Sequence, residues 1–106
     1  MVESSEGTAQ PVTTSVLSVN LPEEVVAYRE DIRRFLDAMI YKLRLNAHKG
    51  RWENDGVEDR LPKLLEEFEE LKEAVEGGNM IETLLEAADV ANFAMIIAAI
   101  AVERGK

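Results

Sequence analysis

The sequence predicts an all-α fold, a helical bundle completed by homo-oligomerisation, on three observations. Apolar residues recur at helical spacing in three stretches, roughly 20–46, 59–76 and 79–103. The last two are joined only by Gly77-Gly78-Asn79, a connection short enough to make them antiparallel neighbours. The third is apolar on nearly all sides, and three helices in a chain of 106 residues bury too little surface alone, so self-association follows.

Asn20-Leu21-Pro22-Glu23 opens the first helix in this reading. Asn20 is placed to cap, Glu23 stands three residues on as in a capping box, and Pro22 is tolerated in the first turn. Val25, Tyr28, Ile32, Leu36, Met39 and Leu43 then form one stripe, ending near Asn46. Ahead of it, 1–19 is rich in Ser, Thr, Glu and Gly and reads as a flexible tail. Its β-prone run Val12 to Val19 offers the lesser alternative of a strand clasping a second subunit. The helical domain is then 20–106. Asp59 or a neighbour caps the second helix, Pro62 sits in its first turn and Gly77-Gly78 end it. Its stripe is Leu61, Leu64, Phe68, Leu71 and Val75. Asn79 caps the third helix, with Glu82 at the capping-box position.

Twelve basic against twenty-one acidic residues give a formal charge of -9, which argues against general affinity for a nucleic-acid polymer. The bases concentrate between Arg29 and Arg51 and the acids between Glu53 and Glu76, an asymmetry suited to a small anion held between a basic segment and a metal on the acidic one. With no cysteine and only His48 for imidazole, disulfides, thiolate sites and zinc sites on paired imidazoles are excluded. The N-terminus lacks a secretory pattern. The C-terminal apolar run reads as too short and too interrupted by acids to span a bilayer, so the expectation is a soluble cytoplasmic protein without a membrane partner.

The chemistry is expected where those acids interrupt the third helix. At about 100° per residue, Glu82, Glu86 and Asp89 share a stripe with Phe93, Ile97 and Ile100. Ionised carboxylates on an apolar face need a cation. On the second helix Glu67 and Glu70 border the core with the small Ala74 between them, at comparable height from the turn to Glu86 and Asp89. Four carboxylates from facing helices suit Mg2+, and Mn2+ equally, with the remaining positions left to water and phosphate oxygens. The other partner open to them is an arginine of the first helix, Arg33 or Arg34, in a buried salt bridge. In the loop 47–60, Trp52 beside Lys49 and Arg51 suits a base and its phosphates. The same Trp52 would equally serve to plug the end of the bundle.

Glu66-Glu67-Phe68-Glu69-Glu70-Leu71, followed by Glu86-Ala87-Ala88-Asp89-Val90-Ala91-Asn92, resembles the EExxE...ExxD signature of the MazG-like all-α nucleoside triphosphate pyrophosphohydrolases, and the Asn46 to Trp52 segment, with its Lys49-Gly50-Arg51-Trp52, is similar to their small single-domain members. The likeness covers roughly Leu21 to Glu103. It implies a four-helix-type bundle assembled as a homodimer or homotetramer that uses Mg2+ to cleave nucleoside triphosphates to monophosphate and pyrophosphate. It further implies that Glu67, Glu70, Glu86 and Asp89 are the metal ligands and that Glu66 is a supporting catalytic acid able to orient or deprotonate water. Lys49, Arg51 and Asn92 would contact phosphate or sugar, and Trp52 the base. Housecleaning of dNTPs or non-standard nucleotides is the leading expectation. A dUTPase or a phosphoribosyl-ATP pyrophosphatase stands as the alternative within the superfamily, and a non-enzymatic oligomerisation or regulatory module outside it.

Overall fold

The computed structural model describes residues 9–49 and 55–104 and divides into two compact units, 1–37 and 38–106, with the dividing point inside a helix. In the first unit, β1 (Gln10–Thr13) and β2 (Ser18–Leu21) pair antiparallel, with Val12 opposite Val19 and Pro11 opposite Asn20. Thr14 closes the turn, donating through its backbone N–H (2.8 Å) and its hydroxyl (3.2 Å) to the carbonyl of Leu17. The flexible tail expected up to Val19 is thus a hairpin over its last ten residues. Val12 and Leu21 are buried, one from each strand, and burial is what a two-stranded ribbon needs to persist in water.

The hairpin also displaces the start of the first helix. Asn20 is a strand residue and caps nothing. Pro22, extended at ψ 157°, precedes a 3-10 segment over Glu23–Tyr28, and the α-helix begins only at Arg29. This helix, α1 (Arg29–Leu45), starts with Arg29 donating to the Gln10 side chain at 3.2 Å. Three residues per turn put side chains out of phase with the expected stripe, and Tyr28 is 59% exposed.

In the second unit, α2 (Val57–Glu76) and α3 (Met80–Arg104) pack as an antiparallel hairpin. Gly56, not Asp59, caps α2. Asp59 lies three residues inside and accepts the Gly56 N–H at 2.7 Å, so Pro62 falls in the second turn rather than the first. The other end is a Schellman close: Gly78 donates to Val75 at 3.1 Å and Asn79 to Ala74 at 3.4 Å. Gly78 sits at φ 71°, a left-handed conformation that L side chains rarely adopt, with open space where a Cβ would be. Gly78→Ala is therefore a test of backbone strain alone. We expect it to destabilise the chain by about 1 kcal/mol in a urea melt. Asn79 then caps α3 as expected, its Oδ1 accepting the Glu82 N–H at 2.9 Å.

Buried positions of this unit are mostly small: Ala38, Ala74 and Ala88. Ile100 is the large exception. Much of the stripe expected to be covered on α2 is instead open, with Leu61, Phe68 and Val75 about half exposed. Helix α3 also departs from expectation. Its 25 residues include a window of mean hydropathy 1.8, so by length and composition it is long and apolar enough to cross a bilayer, despite its acids. Of those acids, Asp89 pairs with Lys42 of α1 and Glu86 faces Glu67 and Glu70 of α2, while Asn92 bonds to the Met39 carbonyl of α1.

Candidate metal and phosphate site

The site lies within the second unit, and its geometry follows from two helical turns brought face to face. Glu67 and Glu70 are one turn apart on α2, Glu86 and Asp89 one turn apart on α3, and the tight 77–79 connection sets both pairs at one height. Glu67, Glu70 and Glu86 each turn a carboxylate oxygen to a common point, these oxygens lying within 4.8 Å of one another.

Asp89 does something else. Its Oδ2 is 3.0 Å from the Lys42 ammonium of α1, and both side chains are largely withdrawn from solvent, 15% and 19% exposed. One turn on, Asn92 donates through Nδ2 to the Met39 carbonyl at 3.1 Å, and Met39 is one turn before Lys42. Two rungs thus fix the height of α1 against α3. The arginines offered by the sequence as salt-bridge partners are engaged on their own helix: Arg33 with Glu30 (2.9 Å) and Asp37 (3.1 Å), Arg34 with Asp31 (3.4 Å).

Electrostatics shows the strain of this arrangement. Burial, then the charges of Glu70, Asp89 and Glu86, push the Glu67 carboxyl up to about 7, against a smaller lowering by Lys42. Glu86 is raised as well, by burial first and then by Glu70 and Asp89. Burial works against the Lys42 charge, but the bond to Asp89 and the fields of Asp89, Glu86 and Glu67 outweigh it and hold its pKa above the ordinary lysine value. One oxygen, Glu86 Oε1, is buried with no hydrogen-bond partner among the described residues. A buried carboxylate oxygen without a donor is costly. Together with the convergence of three hard oxygen donors, it fits a divalent cation: Glu67, Glu70 and Glu86 would hold the ion.

The acids form one wall of an open cavity of about 760 Å3. Lys42, Lys49, Arg60 and Lys63 are also on its lining. Arg60 is held in place by Asp55 (Nε to Oδ2 2.7 Å) and by the face of Phe93, 5.8 Å from the ring centroid. The cavity thus pairs an acidic wall with donors suited to phosphate oxygens.

Of the residues singled out in the sequence, Glu66 and Lys49 are exposed and line the cavity. Asn92, expected at phosphate or sugar, is buried at the cavity wall with its amide donor bonded to Met39 and its Oδ1 unpartnered among the described residues. Arg51 and Trp52 lie outside the described residues. Lys42, Arg60 and Lys63 were missed. Lys63 carried a legible signal, one turn before Glu66 and Glu67 on the same helix. Lys42 carried none, since its partner is on another helix far along the chain.

No curated protein and no solved structure matches the chain. A family model does: residues 33–101, more than half of the chain and including every acid of the cluster, match the phosphoribosyl-ATP pyrophosphohydrolase model. The chain therefore belongs to the phosphoribosyl-ATP pyrophosphohydrolase family, within the all-α NTP pyrophosphatase superfamily.

Proposed function

We propose that this chain hydrolyses the triphosphate of a nucleotide between the α and β phosphates, releasing pyrophosphate and leaving a monophosphate, with Mg2+ as the working ion and Mn2+ able to replace it. The observation that carries this reading is the convergence of Glu67, Glu70 and Glu86, the last with a buried oxygen that has no hydrogen-bond partner among the described residues, on a cavity also lined by bases. A bound divalent ion would neutralise phosphate oxygens and make coordinated water a better nucleophile. The protein's own share is positioning. Lys49, Arg60 and Lys63 would bind the phosphate chain, with Arg60 oriented in advance by Asp55 and Phe93. Glu66, exposed on the cavity beside the cluster, would accept the proton of the attacking water.

Phosphoribosyl-ATP is the substrate that the family match favours. The EExxE...ExxD spacing favours dNTPs or non-standard nucleoside triphosphates as the second reading. Pyrophosphate release measured over both sets in Mg2+ separates them. Turnover of one set at least about 10-fold above the other assigns the substrate. Turnover of neither, with the protein folded, leaves the acids structural and returns the chain to the reading of a non-enzymatic module.

The same reading includes a homodimer or homotetramer. Leu65, Phe68, Met80, Ile81 and Val102 are between 49% and 80% exposed, more large apolar surface than one chain of this size covers. Light scattering on the purified protein should give two or four chains. A monodisperse monomer would contradict it, and recovery only in detergent would point to a bilayer as the cover for α3.

A further inference from the structure

Resting on the metal-site reading above, we propose that Lys42 is a tethered counter-ion of the acidic cluster, holding Asp89 while no divalent ion is present and yielding it when one binds, so that Lys42 is the positioning residue that sets metal affinity.

The convergence itself prompts this. Of the two acid pairs on facing turns, three carboxylates meet and the fourth, Asp89, is bonded to the Lys42 ammonium at 3.0 Å. This is no surface pair, which would be worth little, because both partners are more than four-fifths withdrawn from solvent. Its position is built: the Asn92 to Met39 bond, one turn away on each helix, fixes the height at which α1 presents its lysine. The residue type suits the role as well. A lysine ammonium is a compact charge on a flexible stem and can leave one carboxylate without breaking a planar, two-pronged contact, as an arginine would have to. A positive charge at this point offsets the mutual repulsion of the acids in the metal-free chain and competes with the ion that the acids would bind.

The test uses Mn2+ alone as probe, with binding measured by calorimetry on the full chain. Lys42→Met should bind Mn2+ about tenfold more tightly than wild type, since a competing charge is gone. Lys42→Arg, which keeps the charge and must break a planar contact to release Asp89, should bind more weakly than wild type, and tighter binding by that variant overturns the proposal. A merely structural lysine predicts weaker binding in Lys42→Met through a loosened site, and equal or weaker binding in Lys42→Met overturns the proposal. A second measurement on wild type covers the case of a variant that fails to fold. Reductive methylation of Lys42, followed by mass spectrometry, should proceed several-fold faster in saturating Mg2+ than without it, and an unchanged rate overturns the proposal. If wild type binds no Mn2+, the metal-site reading itself falls. If wild type binds and Lys42→Met does not bind more tightly, only the role of Lys42 falls.

Discussion

Glu86→Gln should abolish pyrophosphate release, by about 100-fold or more, and at the same time raise the thermal midpoint of the metal-free protein. The first effect follows if Glu86 is a ligand, because an amide is a poor substitute for a carboxylate on a hard cation. The second follows from what surrounds the side chain. Glu86 has one buried oxygen without a donor among the described residues, and its carboxyl is raised by burial and by the charges of Glu70 and Asp89. The amide removes the charge and supplies N–H donors toward acids that lack them, so repulsion becomes hydrogen bonding. The combination is diagnostic. A structural carboxylate would lose stability on substitution, whereas a functional one held against its preference gains it. Melting curves in chelator and in excess Mg2+ check it, with wild type expected to gain more from the ion than the variant.

The second large effect is a pH dependence centred on Glu67. Its carboxyl is raised from the ordinary 4.5 to about 7 in the metal-free fold, so between those values the folded chain holds a proton that the unfolded chain has released. Stability from this group is fully present below about 4.5 and is lost as pH rises through about 7. The difference between wild type and Glu67→Gln in metal-free buffer should follow that window. Metal binding runs the opposite way. Below about 7 the ion must displace the proton, so its apparent affinity should weaken by about tenfold per pH unit from 7 to 5 and level off above 7. Calorimetric titrations at several pH values test this, and an affinity constant across the range would remove Glu67 from the ligands.

How much of this was legible depended on whether the interaction was local. The Gly77-Gly78-Asn79 connection and the Asn79 cap are written within a few residues and the structure places them as read, and of the four acids read from their one-turn spacing it brings Glu67, Glu70 and Glu86 together, with Asp89 on Lys42. The family match bears out the superfamily that the EExxE...ExxD spacing suggested and favours the substrate held as its alternative. Asn20 and Val12 depart from what their neighbours suggest, because strand pairing draws the capping residue Asn20 opposite Pro11 and gives the β-prone run at Val12 its partner in Val19. The Lys42–Asp89 pair has no local signature either. A charged pair between helices depends on the register that Asn92 and Met39 set, and no window of sequence contains both. On α2, periodicity says which side is apolar and not what covers it, and Leu61, Phe68 and Val75 remain open in the single chain.

A divalent ion seated among three glutamates is what the chemistry of this chain requires, and anomalous diffraction from a crystal grown with Mn2+ tests for it most directly. The result expected is a peak within coordination distance, about 2.0–2.6 Å, of carboxylate oxygens from Glu67, Glu70 and Glu86. Anomalous maps with no peak there, and side chains turned apart into solvent, would contradict it.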